Sequence, residues 1–322
     1  MSDLVDSRTD RPDDYIANET ETGRIVSIRV HHLPLGDEAG PTPASYALHG
    51  VDLGREPQMR PSGWVDELDF GIAKSAGLRS PLTMWLIEGA ALNIVVDTGC
   101  DMSEDAHPAT RAALRNHVIW TEHRASWTVE AQLARFGLRP QDIDIVINTC
   151  CHFDHIGNNT KFANATFLVQ ADEFALAVHP PPWALYYYPE FAFNLLDIRD
   201  RLELLDGDLK VTDGVSIHRL GGHSPGTQVV IVETDVGRVC LPGDLVPFYK
   251  NLELNWPMGA FFDLPKVMQA FAWMRTNADI ILPHHDWGFF DRHPDGCVGD
   301  TTLSEEVGAG MLATSESSEG PP

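Results

Sequence analysis

The sequence predicts an α/β sandwich, in which two sheets are covered by helices. Short apolar segments alternate along the chain with segments of helical periodicity, as expected of strands and helices that follow one another. Several of the apolar segments end in loops that carry Gly, Pro and chemically reactive side chains. We therefore expect a functional site at one edge of the sandwich.

Strands and helices can be assigned in order along the chain. Residues 24–30 and 83–97 alternate or run apolar, which predicts strands, and 128–136 has apolar side chains at helical spacing. A second helix is predicted at 265–276 and a short buried strand at 280–282. This helix carries an apolar stripe that we interpret as core and not as a cofactor-binding surface: Val267, Met268, Phe271 and Met274.

Length and composition favour one large domain between two tails. The chain has 322 residues, 43% of them hydrophobic, which is enough to bury a large core. Residues 1–23 are polar and acidic, and 303–322 are rich in Ser, Glu, Gly and Pro, so both are predicted to be disordered. The folded domain is then 24–302.

The charge balance restricts the class of partner. With 47 acidic and 23 basic residues the formal net charge is -24, which disfavours binding to nucleic acid or to an anionic membrane surface. Five cysteines, an odd number, do not indicate a disulfide framework, and the chain shows no secretory signal or apolar run long enough to span a bilayer. We expect a cytoplasmic protein that acts on a small molecule, with a homodimer as a possible assembly.

One loop carries four side chains that bind metal ions, directly after the apolar segment 143–147. They are Cys150, His152, Asp154 and His155. Alternate side chains of an extended strand share a face, so the first three converge where the strand frays, with the last on the other side of the turn. Thiolate, imidazole and carboxylate together suit zinc better than magnesium or calcium. Taken alone, a Cys/His-rich loop that binds nothing is the alternative.

Three further loops carry ligand-type residues at the ends of apolar segments. They contain His223, Asp244 and the adjacent pair His284 and His285. A buried core histidine would explain any one of these positions. Four separate strand ends with such residues favour a metal site.

These motifs resemble the metallo-β-lactamase superfamily, whose signature is His-x-His-x-Asp-His followed by a distant His, a bridging Asp and a final His. Within it the chain is most similar to the N-acyl-homoserine lactonase-like metallohydrolases. The resemblance covers about residues 25–290, with 96–99 similar to an early Asp-Thr-Gly element and 138–144 to the lead-in of the metal loop. It implies an αββα sandwich of two mixed sheets flanked by helices.

The resemblance also implies two metal ions per chain, most simply Zn²⁺, with Mn²⁺ or Fe²⁺ as other occupants. One ion is bound by Cys150, His152 and His223, the other by Asp154, His155 and His285, and Asp244 bridges them. His285 is preferred over His284 because the His-Asp pair of the family matches His285 and Asp286. Asp97 is expected to orient a ligand without binding metal.

The chain departs from the family where Cys150 replaces the first histidine. A thiolate can replace imidazole on zinc, but it donates more charge and lowers the Lewis acidity of the ion. The alternative is that Cys150 is a buried spectator and the first site is weak. A disulfide with Cys151 is less favoured.

A second departure concerns a catalytic tyrosine that the lactonases place three residues after the bridging aspartate. Pro247 occupies that position, and Tyr249 lies two residues further on. We expect Asp154 and Asp244 to be catalytic, with Tyr249 as a candidate if the loop brings it to the site. Otherwise the metal stabilises the developing oxyanion.

Residues 49–80 and 179–193 are not explained by the metal motifs and could cover the site. The second segment is rich in aromatic residues, which suit a ring or acyl chain, or alternatively pack in the core or at a dimer contact. The expected pocket residues are Phe153, Trp183, Tyr186, Tyr187, Tyr188, Phe248 and His284.

The expected function is metal-dependent hydrolysis, in which a metal-bound hydroxide opens a lactone or related cyclic ester. For a lactonase of this group the biological role would be quorum quenching. Hydrolysis of another small carbonyl or heteroaromatic ring compound, such as a cyclic amide or aryl ester, is the nearest alternative. An iron-dependent oxidoreductase of the same fold and a non-catalytic binding protein are less favoured.

Overall fold

The computed structural model describes residues 28–39, 79–100, 120–122, 125–181, 188 and 195–299. The first sheet contains β1 (Arg29–Ala39), β2 (Arg79–Glu88), β3 (Ile94–Val96), β4 (Trp120–Glu122), β5 (Ile145–Ile147), β6 (Thr166–Gln170), β7 (Leu202–Leu205) and β13 (Cys297–Val298). The second contains β8 (Leu209–Thr212), β9 (Val215–Arg219), β10 (Gln228–Thr234), β11 (Gly237–Leu241) and β12 (Ile280–Ile281). The helices are α1 (Val129–Ala134), α2 (Phe153–Ile156), α3 (Ala171–Val178), α4 (Tyr249–Leu254), α5 (Leu264–Asn277) and α6 (Gly288–Arg292).

Both sheets are mixed. The first has the order β13-β1-β2-β3-β5-β6-β7, with β4 paired to β1, and the second has the order β12-β11-β10-β9-β8. In the first sheet β3, β5, β6 and β7 are parallel, whereas β1 and β2 run antiparallel to their neighbours. In the second only the pair β11 and β12 is parallel among the described strands. The parallel strands therefore release their loops at a common edge.

Three apolar layers hold the sandwich together. The central layer joins the two sheets, for example through Trp85 and Ile147 of the first and Val230 and Leu241 of the second. A second layer packs α1 and α3 on the outer face of the first sheet, and a third packs α5 on the second sheet. Full burial of each such side chain contributes about 1.5–3 kcal/mol. This αββα arrangement confirms the predicted fold class.

The predicted helices are found with small shifts of their ends. Thr128 caps α1 by accepting a hydrogen bond from the Ala131 backbone N–H at 3.1 Å, and Asp263 caps α5 through the N–H of Lys266 at 3.1 Å. The predicted apolar stretch 83–97 forms two strands, β2 and β3, because the chain turns at Gly89 with a φ of 89°.

Several predictions fall where the structure gives no description. The tails at 1–23 and 303–322 lie outside the described residues, as does 49–78 of the predicted cover segment. The first predicted strand, 24–30, is described only from residue 28. In the described part of the chain, every helix is too short or too polar to cross a bilayer.

Candidate metal centre

The loops that follow the strands bring the predicted ligands to one edge of the sandwich. Cys150 and His152 lie in the loop after β5, Asp154 and His155 in the short helix α2 that follows it, and His223 in the loop between β9 and β10. Asp244 follows β11, and His285 follows β12. Both sheets thus supply side chains to the same place.

Two groups of donor atoms share one carboxylate, and a third group, His155, His284 and His285, overlaps the second. Within each group the candidate ligand atoms lie within 4.8 Å of one another. The first group is Cys150, His152, His223 and Asp244, and the second is Asp154, His155, Asp244 and His285. The structure therefore brings together all seven side chains that the sequence proposed as ligands, while the binding of metal by them stays a prediction.

Asp244 lies between the two groups. Its Oδ2 atom is 3.3 Å from Nε2 of both His155 and His223, and its Oδ1 atom is 2.9 Å from Nε2 of His285. Asp154 closes the second group, with Oδ2 at 3.5 Å from Nε2 of His285. This is the position expected of a carboxylate that bridges two ions.

Hydrogen bonds on the far side of three imidazoles turn the Nε2 atoms towards the centre. Nδ1 of His155 donates to Asp97 at 2.9 Å, Nδ1 of His223 to the Ala260 carbonyl at 2.8 Å, and Nδ1 of His285 to the Pro81 carbonyl at 2.9 Å. A proton fixed on Nδ1 leaves the lone pair on Nε2 free for a metal ion.

The first group is built differently, because His152 presents its Nδ1 atom to the centre. That atom lies 2.9 Å from Nε2 of His223 and 3.5 Å from Sγ of Cys150. All three side chains are buried. Buried imidazole, thiol and carboxylate donors in two adjoining groups fit a pair of borderline cations such as Zn²⁺.

The charges of the centre shift the pKa values of its members. Burial opposes ionisation of Asp244, but the charges of His155, His285 and His223 lower its pKa well below the usual value. Burial also lowers the pKa of His285, but Asp244 and Asp154 outweigh it and raise that pKa to about 9. Protons and metal cations therefore compete for the same imidazole lone pairs.

Asp97 is the carboxylate that orients His155. It is fully buried, and it also accepts hydrogen bonds from the Thr149 backbone N–H at 2.7 Å and from the Thr149 hydroxyl at 2.6 Å. Its φ of 55° lies in the left-handed region, which non-glycine residues adopt uncommonly, with aspartate and asparagine among the main exceptions. These contacts are those expected of a carboxylate that positions a ligand.

His284, which was predicted to line the pocket, lies against the candidate ligands, and a role in the pocket stays a prediction. It is fully buried, and its ring stacks on His155 with a centroid distance of 4.6 Å. Its Nδ1 atom accepts a hydrogen bond from the Trp85 indole at 3.2 Å, and its Nε2 atom lies 3.6 Å from Asp97 Oδ2. Packing between Trp85 and the ligand His155 holds it behind the centre.

Among the described residues no hydrogen bond joins the buried Tyr249 hydroxyl to the metal groups, and its catalytic role stays a prediction. The guanidinium of Arg292 lies 3.6 Å from the centroid of its ring, and the ring packs in the apolar layer between the sheets. With Leu252 and Arg292, Tyr249 lines a separate surface pocket. Burial, opposed by Arg292, raises its pKa to about 12.

The remaining predicted pocket residues divide into two sets. Tyr188, Phe153 and Phe248 are described: Tyr188 is buried with its ring centroid 4.7 Å from that of His152, Phe248 is buried, and Phe153 is partly buried against apolar neighbours. Its burial and ring contact make Tyr188 a support for His152, while its role in a pocket stays a prediction. The other three lie outside the described residues: Trp183, Tyr186 and Tyr187.

Four contributors to the centre were not predicted. They are Thr149, the Pro81 and Ala260 carbonyls and the buried Glu173, and each holds a candidate ligand or its loop. The position of Thr149 beside Cys150 is a signal that sequence reasoning could have used. Glu173 and Ala260 act from distant segments and carry no local signal.

Two adjoining groups of buried metal-type donors at the edge of an αββα sandwich are the arrangement of a metal-dependent hydrolase. Residues 79–285 match the sequence profile of the metallo-beta-lactamase superfamily, and the chain belongs to this family.

The similar proteins include several lactonases. An N-acyl homoserine lactonase of Bacillus cereus is 30% identical over 189 residues, which are 57% of this chain and 71% of the relative. Another, from Azorhizobium caulinodans, is 26% identical over 176 residues, covering 52% of this chain and 65% of the relative.

Solved structures agree on the fold. A probable metal-dependent hydrolase from Staphylococcus aureus superposes with a TM-score of 0.63 at 22% identity, covering 82% of this chain and 91% of that one. A dizinc quorum-quenching lactonase in complex with its product superposes with a TM-score of 0.54 at 16% identity, covering 82% and 90%.

Proposed function

We propose that this chain hydrolyses a lactone or a related cyclic ester with the help of two metal ions. The observation that carries the proposal is the pair of donor groups that share Asp244. The 30% identity to an N-acyl homoserine lactonase supports this substrate class, and with it a role in quorum quenching. Zn²⁺ suits the donors best, and Mn²⁺ or Fe²⁺ are the alternatives.

Cys150, His152 and His223 would hold one ion, and Asp154, His155 and His285 the other, with Asp244 between them. When bound, such a pair lowers the pKa of water and polarises the carbonyl of an ester. Asp244 offers two carboxylate oxygens at the middle of the centre. It is placed to take the proton that the attacking water releases and to return it to the alkoxide of the opened ring, which gives a hydroxy acid.

The position of Tyr249 favours a second candidate, hydrolysis of another small carbonyl or heteroaromatic ring compound. Its ring is held by Arg292 and the core, and no described hydrogen bond places its hydroxyl at the metal groups. A cyclic amide or an aryl ester is then as suitable in chemical terms as a lactone. The same donors would also suit an iron-dependent oxidoreductase. A cytoplasmic location and a homodimer stay predictions.

Metal analysis joined to a substrate panel tests the proposal. Purified protein should contain two zinc ions per chain and should open N-acyl homoserine lactones, releasing one proton per turnover. Asp244→Asn should lower kcat/KM by about 100-fold or more, the lower range for a positioned acid–base group. Asp200→Asn is the matched control, because the Asp200 side chain is 91% exposed.

The other results of this experiment would each favour an alternative function or refute the proposal. Turnover of cyclic amides or aryl esters in place of lactones would select the second candidate. Iron in the protein together with redox activity would select the oxidoreductase. Full activity of Asp244→Asn, or protein that binds no metal, would refute the metal-dependent mechanism.

A further inference from the structure

A buried carboxylate beside the metal centre collects four hydrogen bonds from three separate segments. Glu173 stands in the first turn of α3 and is 1% exposed. Its Oε1 atom accepts from the Cys151 backbone N–H at 3.0 Å and from the Tyr188 hydroxyl at 2.8 Å. Its Oε2 atom accepts from the Ser224 hydroxyl at 2.5 Å and from the Gly226 N–H at 3.1 Å. Four donors satisfy the lone pairs of an ionised carboxylate.

The donors stand beside the ligands of one metal group. Cys151 lies between Cys150 and His152 in the chain, and Ser224 directly follows His223. The tyrosine of this network packs its ring 4.7 Å from the His152 ring. Each cysteine or histidine of the first group is therefore next in the chain to a residue that hydrogen-bonds to Glu173.

The second group is held by other residues. Asp97 binds Nδ1 of His155, and the Pro81 carbonyl binds Nδ1 of His285. Asp97 also holds Thr149, which precedes Cys150, so both carboxylates support the loop of the first sheet. Asp97 differs from Glu173 in accepting a hydrogen bond from an imidazole of the second group, and we expect its loss to affect the second ion more than the first.

The backbone is shaped to allow this contact with Glu173. A Cβ atom on Gly226 would lie 2.6 Å from Glu173 Cβ and 2.7 Å from its backbone nitrogen. Only glycine permits the loop of His223 to approach α3 so closely. The last glycine of the Gly-His-Ser-Pro-Gly motif, Gly226, therefore allows the contact with Glu173 as well as the turn.

We infer that Glu173 is a positioning residue for the first metal group, which ties the loops of Cys150, His152 and His223 together. The inference rests on the proposed metal-dependent function. Loops lose conformational freedom when they bind an ion, so a fixed loop pair binds with higher affinity than a free one. Removal of such supporting hydrogen bonds commonly costs 10–100-fold in metal affinity.

The experiment compares Glu173→Gln with Asp97→Asn and with the double variant, using titration with Co²⁺ against a competing chelator. The isosteric amide keeps the volume of Glu173 but turns an NH₂ group towards two donors. Glu173→Gln should lower the affinity for one ion by about 10–100-fold and leave the affinity for the other unchanged. Asp97→Asn should lower the affinity for one ion, and the double variant should lower the affinity for both. Glu130→Gln is the surface control, since Glu130 is exposed on α1.

Two results would overturn the inference while the metal centre stands. Wild-type affinity for both ions in Glu173→Gln is the first. The second is a double variant that still binds one ion with wild-type affinity, because both supports would then serve the same ion. A wild type that binds fewer than two ions refutes the dinuclear centre itself and the inference with it.

Milder variants keep the test open if Glu173→Gln does not fold. Tyr188→Phe removes one hydrogen bond to Glu173, and Ser224→Ala removes one to Glu173 and one shared with the Thr227 hydroxyl, while both variants retain the carboxylate. Each should weaken the same ion by a smaller factor, while circular dichroism of the metal-free protein stays as in the wild type. Equal weakening of both ions would indicate a general structural role and would contradict the inference.

Discussion

Replacement of Asp97 by asparagine should weaken the binding of the second metal ion by changing the tautomer of His155. Asp97 Oδ2 accepts both the Thr149 hydroxyl at 2.6 Å and His155 Nδ1 at 2.9 Å. An amide nitrogen at this position would face two donors. The imidazole can relieve the clash by moving its proton from Nδ1 to Nε2, and it then has no lone pair for the ion.

The magnitude follows from the hydrogen bond that is lost. A hydrogen bond to a charged group contributes about 1.5–3 kcal/mol, which corresponds to roughly 10–150-fold in affinity. Asparagine is the right substitution because it tolerates the left-handed backbone, so the φ of 55° at Asp97 adds no new strain. The effect then belongs to the side chain alone.

The assay is competition for Zn²⁺ between the protein and a chelator, with the two affinities resolved. Asp200→Asn, on an exposed side chain, should behave as the wild type. Nuclear magnetic resonance of the His155 ring should show the proton on Nε2 in the variant. Unchanged affinity for both ions, or a proton that stays on Nδ1, would refute the argument.

Three further predictions concern single residues. Cys150→Ser should abolish the thiolate-to-metal charge-transfer band of the Co²⁺ protein and lower the affinity for one ion. If the wild-type protein lacks this band, Cys150 does not bind the metal. Gly226→Ala should destabilise the fold by about 1–3 kcal/mol in urea unfolding, because its Cβ would overlap Glu173, and a neutral result would contradict that contact. Gly137→Ala is its control, since no atom lies within 4 Å and only the φ of 70° costs about 1–2 kcal/mol. Burial lowers the pKa of His32 to about 3. The ring is therefore neutral in both the folded and unfolded chain above pH 6.5. Below that pH the unfolded chain binds the proton first, so the free energy of unfolding falls by up to roughly 1.4 kcal/mol per pH unit between pH 6.5 and 3. His32→Phe should therefore lose less stability than the wild type between pH 7.5 and 5.5, and equal losses would exclude His32 as the cause.

The sequence predicted the fold class and the gathering of the ligands because both depend on local patterns. An apolar strand followed by Gly, Pro and a ligand-type residue can be recognised without knowledge of its neighbours, as at His223 and Asp244. Strands that run in the same direction end at the same edge of a sheet, so β9 and β11 bring these two loops together. The replacement of a histidine by Cys150 is equally local.

Residue orientation was less predictable because distant contacts decide it. Tyr249 is near Asp244 in sequence, but the guanidinium of Arg292 and the layer between the sheets turn its ring away. His284 is next to His285, yet the Trp85 indole, 199 residues away in the chain, holds it behind the centre. Glu173 is 51 residues from Ser224, and no local pattern joins them.

Each donor group takes side chains from both sheets, so the geometry of the centre is a property of the sandwich as well as of the motif. Cys150 and Asp154 follow a strand of the first sheet, whereas His223 and His285 come from loops of the second. The distances between these pairs are set by the apolar layer that separates the sheets. Side chains in such a layer pack densely, so a change of one methylene group is felt by its neighbours. The supports Asp97 and Glu173 then adjust single ligands within a spacing that the core has already fixed. A substitution far from the motif can therefore alter metal binding without touching any ligand.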